Sequence, residues 1–169
     1  MEPHWLHELK TRLEADDTPT RQHARETLVA IGEPALPAFV DLLGSPSARL
    51  RWEAAKALTE IPEPAAIPGL VLLLADRQSE IGWLAAVGLI NLGTRSVPYV
   101  LQGLNEHAES KRFRSASHHV LHDLSARNPV MRDILRPVLD VLDEVASDAG
   151  VISSRAQAGL HELRALSEG

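Results

Sequence analysis

The sequence predicts an all-α fold, a right-handed α-solenoid of about five antiparallel helix pairs around one continuous core. Pro37, Pro68 and Pro98 recur at intervals of 31 and 30 residues, each directly after an aliphatic residue. A second series consists of alanines, each followed four residues later by Leu or Val: Ala24, Ala54, Ala85 and Ala116. A period of roughly 20–50 residues is typical of helical repeat arrays. No segment alternates apolar and polar residues as a half-buried strand does.

The composition is that of one globular domain, residues 1–169, with 44% apolar and 24% charged residues. The net charge of −6 provides no general attraction to phosphate backbones, so nucleic acid is not an expected partner. The chain has no cysteine, which excludes disulfides, thiolate nucleophiles and sulfur-ligated metals.

The N-terminal residues MEPHWLHELK lack the charged start and apolar run of a secretory signal. The apolar run near residues 67–75 is too short to span a bilayer. We therefore expect a cytoplasmic protein without a membrane partner. The sequence leaves the oligomeric state open.

Helical periodicity divides each unit into two helices. Between residues 46 and 61, Leu50, Ala54 and Leu58 share one face. Ser45 or Ser47 can cap the start of this helix, and the prolines after Ile61 end it. The same reasoning predicts helices at residues 3–14 and 18–31, 35–44 and 47–61, 65–75 and 78–92, 95–106 and 109–126, and 129–146 and 150–167.

The predicted repeats are residues 1–31, 32–61, 62–92, 93–126 and 127–169. The last repeats depart from the period, because Ala116 and Ala156 lie 40 residues apart. The extra length is expected in the helix around Val130 to Val145 or in its turns. Terminal repeats commonly differ from the others, since they cap the stack.

Three segments carry a family resemblance: IGEPALPAFVDLL (31–43), RWEAAKALTEI (51–61) and PAAIPGLVLLLAD (64–76). They resemble HEAT repeats and are most similar to the short bacterial type first described in phycobilisome lyases. The resemblance is strong over residues 20–105. It implies that the helix with the R-x-x-A-A-x-x-L pattern lines the inner, concave side of the solenoid. The family that these segments resemble includes chromophore lyases, a peptide hydroxylase, related DNA glycosylases and binding scaffolds.

Two tryptophans on successive pattern helices are the predicted anchors of a binding groove. Trp52 and Trp83 cannot face the core of their own helix pair unless Ala54 and Ala85 turn outward. They are therefore expected on the inner face, unless strong curvature or a folded-back fifth repeat buries them. The other predicted groove residues on these helices are Glu53, Lys56, Val87 and Ile90.

Polar residues in the flanking repeats are expected to form the rims of this groove. The fourth repeat offers Arg114, His118 and His122, and the fifth offers Arg155 and His161. An apolar floor between charged rims suits an amphipathic helix or an extended peptide. Glu53, Lys56 and Arg114 are the predicted selectors of its register.

His118 and His122 are also the best candidates for a metal site, because their i, i+4 spacing suits two imidazole ligands. Two ligands are too few, and a third would have to come from another helix, with His161 as the candidate. Solvated or interface histidines are the favoured interpretation. No metal and no cofactor are predicted.

The enzymes that share this resemblance fit the residues poorly. Deoxyhypusine hydroxylases ligate iron through R-H-E-A-A strings, whereas here Trp52 stands in place of the histidine. The related glycosylases use a basic channel, whereas glutamates such as Glu26 and Glu60 share the proposed groove. The sequence therefore predicts a non-catalytic adaptor that binds a protein or peptide. A chromophore (bilin) lyase or a chaperone-like relative remains the alternative.

Overall fold

The computed structural model describes residues 4–144 and 147–168, and this part of the chain contains ten α-helices and no strand. They are α1 (His4–Leu13), α2 (Thr18–Ile31), α3 (Leu36–Leu43), α4 (Ala48–Glu60), α5 (Ile67–Leu73), α6 (Ser79–Asn91), α7 (Val97–Glu106), α8 (Lys111–Arg127), α9 (Pro129–Asp143) and α10 (Ala149–Glu168). The all-α prediction is confirmed, and the helix bounds agree to within a few residues. The predicted helix residues 3, 145 and 146 lie outside the described residues.

Capping side chains explain where three of the second helices, α2, α4 and α8, begin. Asp17 accepts a 2.8 Å hydrogen bond from the backbone N–H of Thr20. Ser47, one of the two predicted caps of α4, accepts from the backbone N–H of Leu50. Ser110 does the same at the start of α8. These bonds satisfy amide donors that have no partner within the first helical turn.

The helices pack in two rows. The second helices α2, α4, α6 and α8 follow one another in one row, and α3, α5 and α7 follow one another in the other. The core lies between the rows. Its fully buried members include one leucine from each second helix (Leu28, Leu58, Leu89 and Leu121) and Phe39, Leu70 and Leu101 from the first helices.

The N-caps show which residues of successive repeats are equivalent. This equivalence corrects one member of the predicted alanine series. The caps of the second helices are Asp17, Ser47, Gln78 and Ser110. Seven residues after each cap stands a fully buried small residue: Ala24, Ala54, Ala85 and Ser117. The fourth member is therefore Ser117 and not Ala116, because the fourth repeat is one residue longer before its second helix.

In the last pair, the first helix joins the row of second helices, and the second helix joins the row of first helices. α9 packs on α8, whereas α10 packs along α7 and α9. Gly159 of α10 permits this approach, since an added Cβ would lie 3.2 Å from Leu101 Cδ1. Gln157 also donates a 2.9 Å hydrogen bond to Asn105 at the end of α7. The expectation that Arg155 and His161 form a rim beside α8 is therefore wrong.

None of the described helices is both long enough and apolar enough to cross a membrane.

We expect Gly103→Ala to destabilise the fold, because the backbone of α7 lies directly against Phe113 of α8 at this residue. An added Cβ would overlap Phe113 Cζ and lie 3.0 Å from Val71 Cγ1, and the Phe113 ring is fully buried. Overpacking of this kind costs about 1–3 kcal/mol. The free energy of unfolding, measured by urea denaturation, should therefore fall.

Gly82→Ala on α6 is the matched control. Its added Cβ would meet the carbonyl oxygens of Leu73 and Leu74 at 3.5 Å, an ordinary contact. Helix propensity then predicts stabilisation of up to about 1 kcal/mol. Equal stabilisation by both substitutions would show that the α7–α8 contact is looser than described here.

Candidate functional site

An arginine four residues after the N-cap fixes three of the second helices to the preceding loop. Arg21 Nη1 donates to the carbonyl of Ala15 at 2.8 Å, and Arg51 Nη1 donates to that of Ser45 at 2.8 Å. Arg114, predicted as a rim residue, makes the same bond to Ala108 at 2.9 Å and is half-buried. The guanidinium of Arg114 therefore stabilises the fold by binding this loop.

The third repeat has Gly82 where the first, second and fourth repeats have this arginine. Without a side chain at Gly82, the space between the first turns of α6 and α8 stays open. It forms a cleft of about 770 Å³, called here the α6–α8 cleft. The cleft is lined by Leu74, Asp76, Ser79, Gly82, Trp83, Ala86, Ser110, Lys111, Arg112, Ser115, Ala116 and His119.

Trp83 stands between this cleft and a second one. Its side chain is 60% exposed. On its other side lies the α4–α6 cleft of about 580 Å³, lined by Trp52, Lys56, Ser79, Glu80, Trp83 and Leu84. The two tryptophans thus face one hollow from neighbouring helices, and Trp83 and Ser79 are walls of both clefts.

Trp52 is more deeply set than Trp83. It is half-buried and packs against the hydrophobic core. The guanidinium carbon of Arg25 lies 5.6 Å from the centroid of its ring, within the range of a cation–π contact. Trp52 therefore belongs partly to the fold and partly to the α4–α6 cleft.

The expected placement of Glu53 in the groove is wrong. Glu53 is only 3% exposed. Its carboxylate accepts from Arg25 Nη1 at 2.6 Å and from Arg21 Nε at 3.3 Å. Because α2 supplies two cations to this side of α4, the carboxylate is enclosed between the helices and cannot select a partner.

The expected apolar floor is also only partly accessible. Ile90 is 8% exposed and belongs to the core, and Val87 is half-buried. The reason is that α6 packs against α4, α5 and α8 together, which leaves little of its surface free. Lys56 is half-buried and lines the α4–α6 cleft.

His118 and His122 are near each other, and neither lines one of the two clefts. Their rings stack with centroids 5.7 Å apart. His118 Nε2 lies 2.9 Å from Asp143 Oδ1 of α9, within ion-pair range. The proposed third ligand, His161, lies on α10, which packs against α7 and α9. Within residues 4–144 and 147–168, no group of three or more histidines and acids is arranged to hold a metal ion.

Asp76 lies in the wall of the α6–α8 cleft and is already paired. Arg51 donates to it from Nε at 2.7 Å and from Nη2 at 3.2 Å, and the backbone N–H of Gln78 adds a third bond at 2.9 Å. Burial by itself raises the pKa of Asp76, but these bonds and the charge of Arg51 outweigh it and hold the pKa below 3.8. The carboxylate is therefore ionised and neutralised by Arg51.

Two cations on the opposite wall have no such partner. Lys111 and Arg112 are exposed in the first turn of α8, and neither forms an ion pair or side-chain hydrogen bond with any residue in the described part of the chain. Helical periodicity alone does not predict this cleft. The signal in the sequence is Gly82, which interrupts the arginine series.

These features define a class of protein, a helical repeat protein whose row of second helices presents two clefts. Residues 6–89, about half of the chain, match the profile of HEAT repeats. This part of the chain belongs to the HEAT-repeat family. The resemblance to the phycobilisome-lyase type remains a prediction. A comparison with curated proteins finds no significant match.

Solved structures of designed proteins are similar in overall helical arrangement. An engineered protein is 18% identical, with 95% of this chain and 79% of that chain covered and a TM-score of 0.46. A designed armadillo repeat protein in complex with the peptide (KR)4 is 17% identical, with 96% and 89% covered and a TM-score of 0.46. Neither similarity bears on the function of this chain.

We expect Asp76→Asn to lower stability in a pH-dependent way. Because the folded pKa lies below the unfolded one, the carboxylate stabilises the fold above pH 3.8, and this contribution is lost as the pH falls through the folded pKa. At pH 7 the substitution should cost about 1.5–3 kcal/mol, the range for hydrogen bonds to charged groups. Urea denaturation between pH 7 and pH 3 should show the difference from wild type shrinking toward the acid end.

Asp41→Asn is the control for this prediction, because Asp41 is exposed and its side chain makes no hydrogen bond or ion pair with a described residue. It should leave stability unchanged across the series. A pH-independent cost for Asp76→Asn would mean that its charge contributes nothing.

Proposed function

We propose that this protein is a non-catalytic adaptor that binds a protein or peptide across α4, α6 and α8, with Trp83 as the central anchor. The observation that supports this most directly is the exposure of Trp83 between two clefts. Tryptophan is among the commonest residues at the energetic centre of protein interfaces. The clefts on its two sides extend the surface over three helices, which suits an elongated ligand.

The repeat itself does not require a tryptophan at this place. Five residues after the N-cap stand Gln22, Trp52, Trp83 and Ser115. Gln22 and Ser115 are exposed, so the position faces solvent and accepts a polar side chain. An indole ring that is 60% exposed gains little from packing, and a partner that covers it would remove its apolar surface from water.

The chemistry of the cleft walls favours binding over catalysis. A general base must have its acceptor atoms free, whereas the carboxylate of Asp76 is held by Arg51. Ser115 and His119 lie one turn apart on α8, but the described residues place no free carboxylate in the cleft wall to orient the imidazole. This is not the geometry of an activated nucleophile.

A bilin-binding protein is the alternative function for the same surface, because a bilin combines apolar rings with carboxylates. This alternative requires that added biliverdin quench tryptophan fluorescence saturably at low micromolar concentration. Trp83→Ala should then abolish most of the quenching. Peptide binding that biliverdin does not displace would exclude the bilin as the natural occupant.

We expect Trp83→Ala to lose peptide binding without losing stability. Peptides are first selected on the wild-type protein from a displayed library of random sequences, and their affinities are then measured by fluorescence anisotropy. Loss of an interface anchor costs about 2 kcal/mol or more, which is roughly 30-fold in affinity. The melting temperature should stay near the wild-type value, because most of the ring is already in water.

Two further variants complete this test. Trp5→Ala removes a partly exposed ring from α1, away from both clefts, and should leave the affinity unchanged. Trp52→Ala should lower both affinity and melting temperature, since its ring packs on the core. The adaptor proposal fails if the library yields no peptide that distinguishes wild type from Trp83→Ala.

A further inference from the structure

We infer that the α6–α8 cleft receives the acidic part of the bound peptide, with an apolar side chain of the same peptide against Trp83. This inference rests on the proposed function and adds the chemistry and the direction of the ligand. Carboxylates would lie over the first turn of α8, and the chain would run from there across α6 toward α4.

The charge balance of the cleft is the first argument. Asp76 is the only acid among the described residues that line it, and Arg51 neutralises that acid with two hydrogen bonds. Lys111 and Arg112 on the facing wall have no compensating partner in the described part of the chain. The cleft thus carries two unpaired positive charges beside an apolar floor of Leu74, Ala86 and Ala116.

The α4–α6 cleft differs in charge from the α6–α8 cleft, and this difference determines the orientation of the bound peptide. The α4–α6 cleft is lined by Lys56 and Glu80, whose opposite charges cancel. Positive potential is therefore concentrated at the α8 end of the surface. A peptide with acidic residues at one end and apolar residues at the other matches this gradient in only one orientation.

The position of the two cations in α8 is the second argument. Lys111 and Arg112 are the first two residues of the helix after its cap Ser110, and the first turn contains no acid. The positive end of the helix dipole disfavours cations here. Neither residue offsets this unfavourable interaction with the dipole through contacts within the described part of the chain. A bound carboxylate would pair with both.

The net charge of the protein sharpens this recognition. At −6, the molecule as a whole repels acidic ligands, so an acidic peptide gains only where positive charge is locally in excess. Gly82 lines the cleft without a side chain, which gives such a peptide room to bring its carboxylates between the two helices.

Three eight-residue peptides with Phe–Leu at one, amidated end test the inference. Their other six residues are acidic in the first peptide, the corresponding amides in the second and lysine in the third. Tryptophan fluorescence and anisotropy at low and high salt give the affinities. We expect the acidic peptide to bind best and to weaken as salt rises.

Lys111→Glu with Arg112→Glu should reverse this order. The variant replaces two ion pairs with two repulsive contacts. We therefore expect it to bind the acidic peptide with about tenfold lower affinity. The lysine peptide should gain affinity for the variant. The melting temperature should stay equal or rise, because acids suit the first turn of a helix. Lys111→Gln with Arg112→Gln removes the charges without reversal and should give an intermediate loss.

Arg95→Glu with Arg136→Glu is the matched control, since it changes the net charge equally at residues outside both clefts. It should leave the order of the three peptides unchanged. An equal loss in this control would show that only overall charge matters and would overturn the inference.

Other outcomes separate the inference from the proposed function. If the amide peptide binds as well as the acidic one and still depends on Trp83, the acidic preference is wrong and the adaptor stands. If none of the three peptides and no library peptide binds, both fall. If a single-stranded oligonucleotide displaces the acidic peptide at equal concentration, the cations serve a phosphate backbone and the inference is wrong.

Discussion

The architecture depends on a pair of arginines that connect successive repeats. Arg21 and Arg51 each bind backbone carbonyls of the loop before their own helix. Each also pairs with a buried carboxylate of the next repeat, Glu53 for Arg21 and Asp76 for Arg51. An unpaired charge at these depths would be costly, so each carboxylate has to meet its arginine. The pairs thereby set how one repeat lies on the next.

The series of arginines is interrupted at α6 and resumes with Arg114 in α8, and the candidate site lies at this interruption. α6 has Gly82 in place of the arginine and is held by apolar contacts, with Ile81, Leu84 and Leu89 buried against its neighbours. Apolar packing needs no side chain at Gly82, whereas an ion pair would have filled that space. The absence of one repeated interaction thus leaves a cleft without weakening the core around it.

The sequence predicts those features that depend on periodicity alone. The helices, their pairing and the solvent-facing position of Trp83 all follow from spacing within one helix. The burial of Glu53 does not, because it depends on Arg21 and Arg25 of another helix. Spacing also cannot show that α10 packs on α7, since that arrangement depends on the small residue Gly159 and on contacts with Asn105.

Three features that do not favour folding of the repeat occur together. Gly82 weakens helix propensity relative to alanine, Trp83 exposes an apolar ring, and Lys111 with Arg112 oppose the helix dipole. Each is unfavourable or neutral for folding, and Gly82 also differs from the arginine found at the same position of α2, α4 and α8. All of them line one cleft. Proteins depart from local rules of stability mainly at functional sites, and the coincidence of these departures is the reason for proposing this cleft as the binding site for a partner.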